Sequence, residues 1–142
     1  MSKRVLVVDD EADTRLLLRY ILEQRGLDIA EAESGEEALS SLEESVPDAM
    51  VLDIRLPGMN GWEVLEQVRS DRRFERMKVV IMSAHVAPSA EAEALARGGN
   101  AFVPKPFRWE RFDETLDTLN LISARAPSQR RSLRASWSSA FA

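Results

Sequence analysis

The chain has 142 residues, enough for one domain with a substantial core and too few for two ordinary ones, and its 44% hydrophobic and 30% charged residues with a net charge of −5 are typical of a globular protein. Apolar runs stop at four or five residues, no cysteine is present, and His85 is the one histidine. These features argue against a transmembrane helix, a signal peptide, a disulfide framework, a thiolate metal site and Cys/His catalysis, and make a cytoplasmic location the expectation.

Charge is unevenly distributed. Residues 1–120 carry 15 Lys and Arg against 24 Asp and Glu, whereas residues 121–142 carry four Arg and no acid. An acidic body lacks the basic footprint that phosphate backbones need, so no nucleic acid partner is expected for the main domain.

In chain order, Val5–Val8 is a continuous apolar run, the mark of a strand covered on both faces, and it ends against Asp9, Asp10, Glu11 and Asp13. Thr14–Gln24 has helical periodicity, with Leu16, Leu17, Tyr20 and Ile21 expected as its buried face and Gly26 as its stop. Leu27–Ala30 alternates as a second strand, after which Ser34 and Glu37 form a capping-box start for a helix carrying Ala38, Leu39 and Leu42. Ala49–Leu52 is a third strand ended by Asp53. Asn60 and Glu63 then open a helix with Val64, Leu65 and Val68.

Val79–Met82 is a fourth strand followed by Ser83, and an Ala-rich helix from about Pro88 stops at Gly98-Gly99-Asn100. Ala101–Val103 leads through Pro104-Lys105-Pro106-Phe107 to a last helix with Trp109, Phe112, Leu116 and Leu119 on one face. The fourth helix offers chiefly Ala90, Ala94 and Leu95, so it is expected to be the most weakly held.

Five strands alternating with five helices predict an α/β fold, a doubly wound parallel sheet. The first, third and fourth strands are continuous apolar runs suited to central positions; the second and fifth suit edges, giving the order 2-1-3-4-5. In such a sheet ligands bind outside the carboxyl ends of the strands, at the switch point between strands 1 and 3.

The strand ends bring Asp9, Asp10, Asp53, Ser83 and Lys105 to that crevice. At about 4 Å and an effective dielectric of about 20, each ionised carboxylate pair repels by ~4 kcal/mol. A divalent cation, proton uptake or the lysine ammonium must offset that repulsion. All-oxygen donors favour Mg²⁺, and a carboxylate nucleophile beside a metal, a hydroxyl and a cation suits phosphoryl transfer to aspartate.

The stretches "VLVVDDE", "LDIRLPGMNGWEVL", "VVIMSA" and "AFVPKPF" resemble, in order and spacing, the receiver domain of two-component response regulators, over about residues 3–122. The resemblance implies a flavodoxin-like (βα)5 fold of the stand-alone chemotaxis-regulator type. Asp53 would take a phosphoryl group from a phosphohistidine of a histidine kinase or histidine phosphotransfer protein. Asp10, Asp53 and the main-chain carbonyl of Arg55 would ligate Mg²⁺, and Asp9 would hold a metal water. Lys105, after a cis bond to Pro106, would pair with the phosphoryl oxygens, and Ser83 would hydrogen-bond one of them. Phe102 occupies the switch-aromatic position without a tyrosine hydroxyl.

The output implied is protein contact, through the fourth helix, fifth strand and fifth helix, which also form the expected homodimer face. Rather than a conventional enzyme, the chain would catalyse its own aspartyl phosphorylation and dephosphorylation. A phosphorelay intermediate or phosphate sink is a close variant. An aspartate-nucleophile phosphohydrolase belongs to another class and fits "DDEAD" poorly, and an unphosphorylated receiver-like interaction domain is a third reading.

Simpler roles stand beside these. Ser83 also fits an N-cap of the fourth helix, Phe102 a half-buried edge aromatic, and "PGMNG" a turn and cap only. His85 reads as a loop residue near the site and Arg55 as exposed. Glu11 and Asp13 read as turn and first-helix acids favourable to the helix dipole. The domain is assigned to residues 1–123 and a basic Ser/Arg-rich tail, expected to be flexible, to 124–142; within it Leu133, Trp137 and Phe141 fall at i, i+4 and i+8 beside Arg130, Arg131 and Arg134, an amphipathic pattern that also suits docking on a partner, a membrane surface or the acidic body.

Overall fold

A computed structural model describes residues 2–84 and 87–122. Its elements are β1 (Arg4–Val8), α1 (Ala12–Glu23), β2 (Asp28–Ala32), α2 (Gly35–Glu44), β3 (Ala49–Asp53), α3 (Gly61–Arg69), a 3-10 turn (Arg72–Phe74), β4 (Lys78–Ser83), α4 (Ala90–Ala96), β5 (Ala101–Pro104) and α5 (Trp109–Thr118). All strand pairs are parallel, in the order β2-β1-β3-β4-β5, as the strand composition predicts. His85 and the tail from residue 124 lie outside the described residues.

The two-residue period of the strands divides the core. Leu6, Val8, Met50, Leu52, Val79 and Ile81 join α2, α3 and α4 on one face. Val5, Val7, Ala49, Val51, Val80 and Met82 join α1 and α5 on the other. Caps begin two helices as expected: Ser34 Oγ accepts from the Glu37 amide at 3.1 Å, and Asn60 Oδ1 from the Glu63 amide at 3.0 Å.

The buried face of α1 differs from the expected one. Leu18, Ile21 and Leu22 are buried, whereas Leu16, Leu17 and Tyr20 are 67%, 37% and 51% exposed. The runs Leu16–Leu18 and Tyr20–Leu22 supply two apolar stripes at helical spacing, so periodicity cannot choose between them. Tertiary contacts do. Arg15 and Arg19 reach Glu31 of β2 at 3.0 and 2.7 Å, fixing the rotation of the helix.

In α5, Phe112 and Leu116 are buried as expected, whereas Trp109 and Leu119, the residue just past the helix, are only partly so. The same flank buries Asp113, ion-paired with Arg25, whose guanidinium carbon also lies 5.9 Å from the Trp109 ring centroid. A deep charge pair thus fastens the α1–β2 turn to the last helix.

Helix α4 has seven residues and starts later than Pro88, at Ala90; Ala94 is its buried residue, and Leu95 faces outward. Two contacts hold its C-terminal end. The Arg97 guanidinium carbon lies 4.5 Å from the Trp62 ring centroid. Arg69 donates to the carbonyls of Gly98 (2.8 Å), Phe74 (3.0 Å) and Met77 (2.9 Å) and to Asn100 Oδ1 (2.9 Å). Burial pulls the Arg69 guanidinium below its ordinary pKa, and the four acceptors take up four of its five N–H donors.

Candidate phosphoacceptor site

Because the strands are parallel, their carboxyl ends share one edge of the sheet. Asp9 follows β1, Asp53 ends β3, Ser83 ends β4, and Lys105 follows β5. Asp9, Asp53 and Ser83 are buried, Asp10 exposed and Lys105 mostly covered. One carboxylate oxygen from each of Asp9, Asp10 and Asp53 lies within 4.8 Å of the other two.

Lys105 bridges the acids. Its Nζ stands 2.7 Å from Asp9 Oδ2, 2.9 Å from Asp53 Oδ2 and 3.5 Å from Glu11 Oε1. The bond to Pro106 is cis, as the resemblance implies, and the Lys105 amide donates to the Ser83 carbonyl at 2.9 Å. The remaining oxygens of the two buried acids accept from the amide two residues on: Asp9 Oδ1 from Glu11 at 2.9 Å, Asp53 Oδ1 from Arg55 at 3.0 Å.

Burial pushes the Asp53 carboxyl above the usual carboxylate range, an effect only partly offset by Lys105 and the Arg55 amide and reinforced by Asp9. Burial by itself would lower the Lys105 ammonium, but Asp9 and Asp53 overcome it and raise its pKa. A single ammonium among three carboxylates leaves the crevice negative. The donor set is all oxygen, clustered closely enough for one small cation, so these residues suit a divalent ion such as Mg²⁺.

The structure brings together Asp9, Asp10, Asp53 and Lys105 and sets Ser83 on the neighbouring strand end. Arg55 is exposed, as expected. Phe102 is 6% exposed, more buried than the expected half-buried edge aromatic, because α4 packs against β5. Beside it, a cleft of about 290 Å³ is bordered by Arg55, Trp62, Ser83, Ala90 and Phe102. The N-cap reading of Ser83 does not fit, since α4 begins seven residues later.

Three neighbours of the site were not legible in that role. Glu11, assigned to the turn and helix dipole, also faces Lys105. Arg15 donates to the Asp9 carbonyl at 2.6 Å, and no sequence pattern marks this contact. Gly61 does more than complete the turn. A Cβ there would stand 2.4 Å from the Asp53 carbonyl oxygen and 2.6 Å from Ile54 Cα, so the start of α3 can approach Asp53 only without a side chain. Gly61→Ala is therefore expected to cost about 1–3 kcal/mol by overpacking and to slow any chemistry at Asp53. Urea unfolding and phosphoryl labelling measured on the same sample check both effects.

A doubly wound parallel sheet with a lysine-bridged acidic crevice at its switch point is a flavodoxin-like α/β domain. The chain belongs to the response regulator receiver domain family of two-component systems: the family model matches residues 5–117. It is 34% identical over 121 residues to the chemotaxis protein CheY of Thermotoga maritima, covering 84% of this chain and 99% of that protein. It is also 36% identical over 107 residues to the phosphate regulon transcriptional regulatory protein PhoB of Rhizobium meliloti, covering 75% of this chain but only 47% of that regulator. The solved structure of the chemotaxis response regulator CheY4 of Vibrio cholerae aligns with a TM-score of 0.78 at 26% identity, over 84% of this chain and 99% of the other. Among the described residues no helix is long and apolar enough to cross a membrane.

Proposed function

We propose that the chain is a phosphorylation switch in which Asp53 accepts a phosphoryl group from a phosphohistidine of a histidine kinase or phosphotransfer protein. The observation that carries this reading is the buried Asp53 carboxylate held at 2.9 Å by Lys105, within cation-binding reach of Asp9 and Asp10. An Asp53 oxygen attacks phosphorus, the P–N bond breaks, and its electron pair returns to the imidazole nitrogen. Lys105 neutralises charge on the phosphoryl oxygens, and Ser83 donates a hydrogen bond to one of them. Asp10, Asp53 and the Arg55 carbonyl would hold Mg²⁺, with Asp9 reached through water; the ion supplies charge neutralisation for the transferring group.

Output runs through the surface of α4, β5 and α5 to a protein target, and a homodimer could use the same face. The cleft from Ser83 to Phe102 beneath the short α4 supports this, since a local change at Ser83 meets little buried area. The receiver is assigned to residues 1–123, acting in the cytoplasm.

Incubation with acetyl phosphate and Mg²⁺ should add the mass of one phosphoryl group, lost in Asp53→Asn and on chelation. Absence of labelling in the wild type under rapid acid quench would reject the proposal. Phe102→Ala should keep the label yet lose the phosphorylation-dependent change in amide exchange of α4; an unchanged exchange difference would separate Phe102 from the switch.

A further inference from the structure

Every polar group of the buried Asp9 is held by a different part of the chain. Its N–H donates to the Ala32 carbonyl of β2 at 3.1 Å, Oδ1 accepts from the Glu11 amide at 2.9 Å, and Oδ2 faces Lys105 Nζ at 2.7 Å. These three contacts complete the strand ladder, the turn and the charge balance. The fourth comes from the first turn of α1, where Arg15 Nη1 donates to the Asp9 carbonyl at 2.6 Å.

Arg15 is itself anchored. Its side chain is 14% exposed, and Nε of the same guanidinium donates to Glu31 Oε1 of β2 at 3.0 Å. Arg19 holds the other Glu31 oxygen at 2.7 Å, which steadies the acid that anchors Arg15. The donors of a guanidinium sit on a rigid planar fork, so fixing Nε on β2 also aims Nη1 at the end of β1.

The carbonyl that Arg15 holds lies in the planar peptide unit joining Asp9 to Asp10. Fixing that oxygen fixes the plane, and with it the direction in which Asp10 leaves the strand end. Asp9 and Asp53 are buried and partnered by amides and Lys105, whereas Asp10 is exposed, so its approach to the other two carboxylates depends on its backbone. Resting on the metal-site reading above, we propose that Arg15 is a positioning residue of the cation site: through the Asp9 carbonyl it holds the Asp9–Asp10 peptide so that the Asp10 carboxylate meets those of Asp9 and Asp53, with Glu31 as its anchor on β2. Groups that orient metal ligands without touching the metal are typically worth about 10–100-fold in affinity. Charge and position make opposite demands here. By Coulomb attraction alone, removing a cation from beside an acidic crevice tightens the binding of a dication; by loss of position, it weakens it.

Calorimetric titration of the full-length protein with Mg²⁺ separates the two. Arg15→Gln should raise the Mg²⁺ Kd about tenfold, and Arg15→Lys, which keeps the charge and one donor without the fork, should fall between it and the wild type. Arg19→Gln is the control: it releases the same Glu31 and loosens the same flank of α1 but leaves the Asp9 carbonyl bonded, so its Kd should match that of the wild type. In the metal-free protein the amide nitrogen resonance of Asp10, which belongs to the held peptide, should shift in Arg15→Gln and stay in place in Arg19→Gln. An unchanged or lowered Kd in Arg15→Gln would overturn the proposal, as would equal weakening by Arg19→Gln, which would trace the effect to helix rotation. If the wild type itself takes up no Mg²⁺, the metal-site reading falls and this role falls with it.

Discussion

Replacing Arg25 with Met is expected to destabilise the domain by about 3–5 kcal/mol, because Asp113 is left as a buried charge without its partner. The two side chains are only 2% and 4% exposed, so water cannot replace the lost guanidinium. For a domain of this size such a loss lowers Tm by roughly 10–20 °C. The double variant Arg25→Met, Asp113→Leu should recover most of it, since two apolar groups replace a pair whose desolvation cost nearly matches its attraction. Urea unfolding of the wild type, both single variants and the double variant provides the cycle. A loss below about 1 kcal/mol in Arg25→Met would show that the pair does not fasten α5 to the α1–β2 turn.

The second large effect has opposite signs at two neighbouring residues. In Mg²⁺-free buffer Asp53→Asn should stabilise the protein by on the order of 1 kcal/mol, the remainder of a ~4 kcal/mol carboxylate repulsion that Lys105 mostly offsets. A carboxyl whose folded pKa lies above its unfolded one takes up a proton on folding. Its favourable contribution is present at low pH and is lost as pH rises through the folded value, so the advantage of Asp53→Asn should grow from acid to neutral pH.

Lys105→Met should instead cost about 2–4 kcal/mol at neutral pH, since Asp9 and Asp53 then face each other without a cation. The lysine's own raised pKa means that its contribution is complete below the ordinary lysine value and falls only at higher pH. Across the neutral range the loss is therefore governed by the acids, and Mg²⁺ or mild acid should restore part of it. Thermal melts at several pH values, with and without Mg²⁺, check both signs; equal destabilisation by the two substitutions would contradict the charge balance.

Strand runs and caps made the architecture legible. Val5–Val8, Ala49–Leu52 and Val79–Met82 could only be buried strands, and once the order followed, Asp9, Asp53, Ser83 and Lys105 had to share one edge. What periodicity could not supply was rotation and proximity. Six apolar residues in α1 fit two faces, and only the pairing of Arg15 and Arg19 with Glu31 settles which is buried. Phe102 reads as an edge aromatic until α4 is packed over it. Glu11 and Gly61 gain their roles from atoms on other elements, Lys105 Nζ and the Asp53 carbonyl, which no local pattern records.

Arg69 gives α4 a pivot. With its guanidinium locked onto Gly98, Phe74, Met77 and Asn100, the far end of the helix is tied to the base of the sheet and cannot travel. Its near end, beside Ser83 and the cleft, packs through small alanines and is tied to α5 by one exposed ion pair, Glu91 with Arg111. A rearrangement at Ser83 would therefore turn α4 like a lever hinged at Gly98, with amplitude greatest at Ala90 and least at Arg97. Shortening the lever or loosening its pivot would change the size of the signal without touching the acids that start it.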